Sequence, residues 1–188
     1  AEQGGSLAVV EGNRLVCETY WDLRITHSRL LLNRIEELIG SLPGMQLEDM
    51  DGFVAAKGPG SFTGLRIGIS VTKALAFAMR RPAFGASSLD GIGFRFCHSS
   101  MPVCVMMDAR RSEVYAAVYR FKNGRLVSKS PEVVTGPDEV IASLKEPGLF
   151  AGSGSKAYLD LISERDYPSV FSSAWQDYVS SAALIEAM

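Results

Sequence analysis

With 188 residues, 47% of them hydrophobic, the chain is long enough to bury a sizeable core, either as one domain or as two small ones. Its 19 Lys and Arg against 21 Asp and Glu leave a net charge of -2, which excludes the broad basic field that would by itself hold a polyanion. Cys17, Cys97 and Cys104 are odd in number and lack CxxC spacing, which argues against a disulfide framework and a zinc site and leads us to expect a reducing, cytoplasmic setting; no signal peptide or membrane-spanning run is read.

The first predicted element is a hairpin, Ser6 to Val10 and Leu15 to Trp21, joined through Glu11-Gly12-Asn13-Arg14, where glycine and asparagine tolerate positive φ. A helix follows from about Ser28 to Ile39, with Leu31, Ile35, Leu38 and Leu42 on one stripe and Leu30 beside it, stopped by Ser41-Leu42-Pro43-Gly44. Glu36 and Glu37 fall on its other face and read as solvated charges. Phe53 to Ala56 is a short apolar strand, and Lys57-Gly58-Pro59-Gly60 turns it abruptly into a long helix capped by Ser61 or Thr63. That second helix is apolar nearly all round through Leu65, Ile67, Ile69, Val71, Leu75 and Phe77, so burial on more than one side is expected. Arg66, Ser70, Lys73 and Arg80 form an approximate polar stripe on it, and Gly64 and Gly68 would let another backbone approach. Pro82 to Ala86 then reads as a strand leading into a serine-capped helix from Ser87-Ser88 towards Phe96.

By composition the expected domain boundary is Ser99-Ser100-Met101-Pro102. Beyond it the plan repeats: Val114 to Phe121, the turn Lys122-Asn123-Gly124-Arg125, a strand from Leu126, and a helix near Pro137 to Leu144. A strand, Val103 to Asp108, precedes this second hairpin. The first copy begins at Ala1 with no room for an equivalent, so the expectation is a missing N-terminal strand. Gly148 to Ala151 is a strand running into the glycine turn Gly152-Ser153-Gly154-Ser155 and a helical segment Ala157 to Leu161. Tyr167 to Trp175 has no strong period, and Ser180 to Met188 is apolar enough for a closing helix. The expected domains are therefore 1–100, 101–179, and a terminal helix 180–188 that packs back on the first.

A glycine-rich strand-to-helix turn suits an anion, because unpaired N–H groups and the helix dipole favour negative charge there. Gly58, Gly60, Ser61, Thr63 and Arg66 are the candidate anion or nucleotide contacts. Against that, Gly64 is followed by Leu65-Arg66 and not by Lys-Ser/Thr, and the spacing from Gly60 to Gly64 does not match the dinucleotide fingerprint. A tight turn with close helix packing explains the same residues.

The run Gly58-Pro59-Gly60-Ser61-Phe62-Thr63-Gly64-Leu65-Arg66-Ile67-Gly68, with Ser87-Ser88-Leu89 and Asp108-Ala109-Arg110-Arg111-Ser112-Glu113-Val114-Tyr115, resembles the bacterial TsaB (YeaZ) family. The resemblance covers nearly the whole chain and is strongest from Phe53 to Leu89 and from Val103 to Tyr119. It implies an α/β fold of two RNase H-like units of the actin-like ATPase superfamily, with mixed sheets flanked by helices and an opening apolar strand that ends in Asp-Thr. It further implies a subunit without catalytic residues, needing no cofactor, in the machinery that makes N6-threonylcarbamoyladenosine at position 37 of tRNA. The implied partners are the catalytic paralogue TsaD, the TsaE ATPase and, when alone, a second copy of the chain. tRNA would be met only through the complex, and no membrane is involved.

Residues for catalysis are few. His27 and His98 are the only histidines, so the HxxxH pair that the resemblance assigns to the paralogue's metal is impossible and no metal is expected. A Ser-His-Asp hydrolase would have to recruit one of them, and Gly-Pro-Gly-Ser61-Phe62 lacks the nucleophile-elbow form. Asp108, ending an apolar strand, is the best isolated acidic candidate; the alternative is a turn made with Ala109-Arg110-Arg111. The expected interface is Leu30, Leu31, Ile35, Gly64, Gly68, Ile69, Lys73 and Phe77, on the paired helices. The rival readings are a nucleotide-binding phosphotransferase or hydrolase, a glycoprotease-like peptidase, and a stand-alone structural homodimer.

Overall fold

The computed structural model describes residues 4–22 and 28–188, so His27 lies outside the described residues. Two compact units divide the chain between Gly91 and Ile92 and again between Tyr178 and Val179. Residues 4–91 with 179–188 make the first unit and 92–178 the second. The break precedes the expected Ser99–Pro102 linker because Phe94 belongs to the second unit, where its ring meets Tyr119 and Phe121 edge-on at centroid distances of 6.5 and 5.3 Å.

In the first unit, β1 (Gly5–Glu11) and β2 (Arg14–Trp21) form an antiparallel hairpin that turns at Gly12, φ 57°, with a bulge between Val9 and Val10. Helix α1 (Ser28–Gly40) buries Ile35 and Leu38, leaves Leu30 and Leu31 half-buried, and ends where the Ser41 hydroxyl donates to the Leu38 carbonyl at 2.7 Å. β3 (Phe53–Ala56), α2 (Phe62–Met79) and β4 (Ala83–Ala86) then make a β-α-β unit whose strands run parallel, Phe53 beside Ala83 and Ala56 beside Ala86. Arg80, left-handed at φ 55°, closes α2, and Pro82 keeps it from continuing.

Helix α3 (Ser88–Gly93) starts where the Leu89 amide donates to Ser87 Oγ. The last element, α7 (Ser181–Glu186), returns to this unit and packs on β1, β2 and β3. Polar side chains fix it there. Ser6 Oγ donates to the Val179 carbonyl at 2.7 Å, and Glu18 accepts from Ser180 Oγ at 2.7 Å and from the Ala182 amide at 3.2 Å. A carboxylate at the first turn of a helix is favoured by the helix dipole as well as by these bonds.

The second unit is built on β5 (Val103–Arg110), which pairs antiparallel with β6 (Glu113–Lys122) and parallel with β9 (Gly148–Ala151). The strand order is β10-β9-β5-β6-β7, where β7 is Arg125–Lys129 and β10 is Ser169–Phe171; β8 (Val133–Thr135) also pairs with β6. Val103 to Met106 are 0% exposed, as a central strand covered on both faces requires. Helices α4 (Pro137–Ser143), α5 (Ser153–Ala157) and α6 (Leu159–Ser163) complete the unit. Its core gathers Cys104, Met106, Val114, Ala116, Val140, Leu144, Phe150 and Ile162. Two strands, β8 and β10, had no counterpart in the sequence reading, and the helical segment expected at Ala157–Leu161 is two short helices meeting at Tyr158. Strands of three residues are too short to show a period of two.

Candidate functional site

The glycine turn takes its shape from backbone angles that L side chains avoid. Gly58 has φ 114° and Gly60 φ 157°, with Pro59 between them. The Ser88 amide donates to the Gly58 carbonyl at 2.7 Å, which ties the turn to the start of α3. Ser61 caps α2, its Oγ accepting from the Gly64 amide at 3.3 Å and its carbonyl from Leu65 at 2.8 Å. Thr63 stands exposed beyond this network. Arg66 lies with its guanidinium 3.8 Å from the Phe62 ring centroid, a cation–π pair on the outer side of the helix. These bonds are those of a turn that sets helix against strand.

Helix α2 is the longest described helix of the first unit and is mostly open. Of its residues only Ala76 is buried. Phe62, Arg66, Ser70, Lys73 and Phe77 are exposed and recur every three or four positions, so they make one outward stripe with an aromatic ring at each end. Phe77 is 88% exposed and Phe62 67%. Ile69, Gly64 and Gly68 are half-buried, and a side chain at Gly68 would meet nothing within 4 Å. Of the residues expected at an interface, Lys73 and Phe77 face outward, Leu30 and Leu31 on α1 are half-buried, and Ile35 is buried within its own unit. Sequence reasoning had not placed Phe62 in this group; its spacing from Arg66 on one helical face was the available signal.

In the second unit Asp108 makes a turn with the residues after it, its Oδ1 accepting from the Arg110 amide at 2.8 Å. The Asp108 amide donates to Ser153 Oγ at 3.1 Å. The side chain is engaged locally, as the turn alternative expects. A network that the sequence did not signal lies close by. Asp177 Oδ1 accepts from the Gly152 amide at 2.7 Å and from Ser172 Oγ, while Lys156 Nζ sits 3.4 Å from Asp177 Oδ2 and donates to the Ser172 carbonyl. Gly152 has φ 94°, and a Cβ there would fall 2.4 Å from the Met106 carbonyl oxygen, so α5 begins against the β5 backbone. Cys104 is pushed up to about 12 by burial, partly offset by the Arg165 charge, which makes it inert as a nucleophile. His98 is exposed. Among the described residues no three His, Cys, Asp or Glu side chains converge on a common point.

Residues 23–178 match the family model described as TsaD, tRNA N6-adenosine threonylcarbamoyltransferase. The tRNA threonylcarbamoyladenosine biosynthesis protein TsaB of Bacillus subtilis is 30% identical over 161 residues, 84% of this chain and 70% of its own length. The chain belongs to the TsaB (YeaZ) family. The Escherichia coli TsaB is 32% identical over 141 residues, 72% of this chain and 61% of its own, so the matched part spans between about three fifths and seven tenths of these relatives. YeaZ from Pseudomonas aeruginosa has a TM-score of 0.81 at 27% identity, covering 97% of this chain and 84% of that one. A polyphosphate/ATP-glucomannokinase from an Arthrobacter strain, with TM-score 0.51 and 14% identity, shares the fold alone. The TsaB family fold is thus α/β, of the actin-like, RNase H-like type, as the sequence resemblance implied.

Proposed function

We propose that this protein serves the formation of N6-threonylcarbamoyladenosine at position 37 of tRNA as a non-catalytic organising subunit in the cytoplasm. Its work is contact: the α1–α2 surface docks a catalytic TsaD paralogue, with the TsaE ATPase as a further partner, and the same surface pairs two copies of the chain when the paralogue is absent. The names of its TsaB relatives support the pathway. The observation that carries the role is the outward stripe of α2, where Phe77 is 88% exposed at one end and Phe62 67% exposed at the other, with Arg66 and Lys73 between. Large aromatic side chains on an open helical face are characteristic anchors of an interface, and the basic residues between them would meet acidic groups on the other side. With a net charge of -2 the chain has no broad field for tRNA, so the nucleic acid is met in the complex.

The test is reconstitution. tRNA modification is measured by mass spectrometry of the released nucleosides, with TsaD, TsaE and the threonylcarbamoyl donor, in the presence and absence of this chain. Modification is expected only when this chain and TsaD are together, and none with this chain alone. Full modification without it, or turnover by it alone, would overturn the role.

A further inference from the structure

The outer edge of the second unit's sheet is one run of chain in two pieces. β7 pairs antiparallel with β6 from Tyr119 to Lys122, and β8 pairs antiparallel with it from Val114 to Ala116. Because β5 holds the other side of β6, the two pieces lie end to end along the same side. Ser130 bridges them: its amide donates to the Val118 carbonyl and its Oγ accepts from the Val118 amide, both at 2.9 Å. Beyond this edge no described strand pairs with β7 or β8.

Four apolar side chains stand open along it. Leu126 is 40% exposed, Val127 64%, Val133 42% and Val134 54%. One such residue on a surface needs no account, but four on an unpaired strand edge form a template for another strand. Leu126 lies opposite Phe121 and Val134 opposite Tyr115. Tyr115 and Phe121 are an even number of residues apart on β6, so Leu126 and Val134 share one face of the sheet.

The order of residues says what covers this edge. Counted from Ser130, valine stands three positions away in both directions, at 127 and 133, and an apolar residue four positions away in both, at Leu126 and Val134. Further out, exposed Lys122 and Arg125 lie on one side and exposed Asp138 and Glu139 on the other. A second copy turned about a twofold axis at Ser130 therefore sets Leu126 against Val134, Val127 against Val133 and the basic end against the acidic end, as an isologous contact requires. Pairing β7 with itself about Val127 would instead set Arg125 against Lys129, two like charges. Pro131, which has no N–H to offer, falls beside the axis, so the ladder forms in the two flanks and a sliding strand is refused.

We propose that this edge is a twofold self-docking surface, on which β7 of one copy pairs antiparallel with β8 of a second copy and β8 with its β7. It uses no residue of α1 or α2 and is independent of the contact proposed for that surface.

The test is disulfide trapping in the full chain. Half-buried Cys17 is replaced by serine, while Cys97 and Cys104 are buried. Phe77→Asp is carried in every protein, so that contact through α2 does not contribute. Directly opposed residues of an antiparallel pair stand about 4.5–5.5 Å apart between Cα atoms, within reach of a disulfide. Leu126→Cys and Val134→Cys are made as separate proteins and oxidised alone and mixed. Trapped dimer in the mixture about tenfold or more above either protein alone is the expected result. Equal trapping in the mixture and in the single proteins, or stronger trapping of Leu126→Cys with Ser128→Cys, would overturn the twofold at Ser130. Sedimentation equilibrium gives a second reading without thiols: Val127→Lys, at a position 64% exposed in the single chain, should weaken self-association about tenfold or more with an unchanged thermal melt. Unchanged self-association of a folded Val127→Lys protein would likewise overturn it.

Discussion

Replacing Phe77 by aspartate separates the contact role from the fold itself. The side chain is 88% exposed in the chain alone, so its intramolecular packing is slight and the folded state should lose no more than about 0.5 kcal/mol. At an interface the same ring becomes buried, and burial of a phenylalanine is worth about 1.5–3 kcal/mol. At 1.4 kcal/mol per tenfold, its loss weakens association by about 10- to 150-fold, and the cost of desolvating the new carboxylate adds to that. Phe77→Leu keeps most of the apolar area and should fall within about tenfold of the parent. Calorimetric titration against TsaD and size-exclusion chromatography with light scattering read the association, and a thermal melt reads the fold. A folded Phe77→Asp protein with unchanged self-association and unchanged TsaD affinity would refute the assignment. Ile35 could not serve as such a probe: it is buried within its own unit, and a charge there would unfold α1 before testing any partner.

Three further outcomes test the second unit. Phe150→Ala empties a fully buried ring position in the core and should cost about 3–5 kcal/mol, read as a lower urea midpoint with little change in m. Asp177→Ala removes the acceptor of the Gly152 amide and Ser172 Oγ and leaves Lys156 without its carboxylate; a loss of about 2–4 kcal/mol is expected in the same assay, with Asp177→Asn milder because an acceptor oxygen remains. Cys104, held near 12 by burial from an ordinary 9.0, should resist alkylation in the folded protein and react on unfolding, as followed by mass spectrometry. The unfolded thiol ionises at the lower pH, so the unfolded state binds fewer protons above about pH 9. Stability from this group is whole below that pH and falls by at most about 1.4 kcal/mol per pH unit as pH rises towards 12. Cys104→Ser tests this by removing the dependence.

Much of the candidate site was legible because it is local chemistry. Glycines at 58 and 60 allow the positive φ that the turn adopts, Ser61 caps the helix that the sequence starts there, and the three- and four-residue spacing from Phe62 to Phe77 places five side chains on one face. The hairpin at Asn123-Gly124 is read the same way. Local rules fail at Arg110, Arg111 and Ser112, which take φ of 65°, 52° and 60° although none is glycine or asparagine; the β5–β6 pairing around them sets that turn. They fail also at Asp177, whose bond to Gly152 joins residues 25 apart in sequence.

By itself the sequence determined the types of the longer elements, the glycine turns at Gly12, Gly58–Gly60 and Gly124, and the duplicated plan, since each of these is a matter of which residue types stand a few positions apart. The tertiary structure alone decided which half of the apolar α2 lies over its own strands and which looks outward, because hydrophobicity around a whole helix carries no direction. It decided that Ile35 serves the core and Phe77 does not, that α7 returns to Glu18 and Ser6, and that three-residue strands β8 and β10 exist at all. Those outcomes depend on long-range pairing, in which a partner far along the chain supplies the hydrogen bonds and the covering surface that no local window contains.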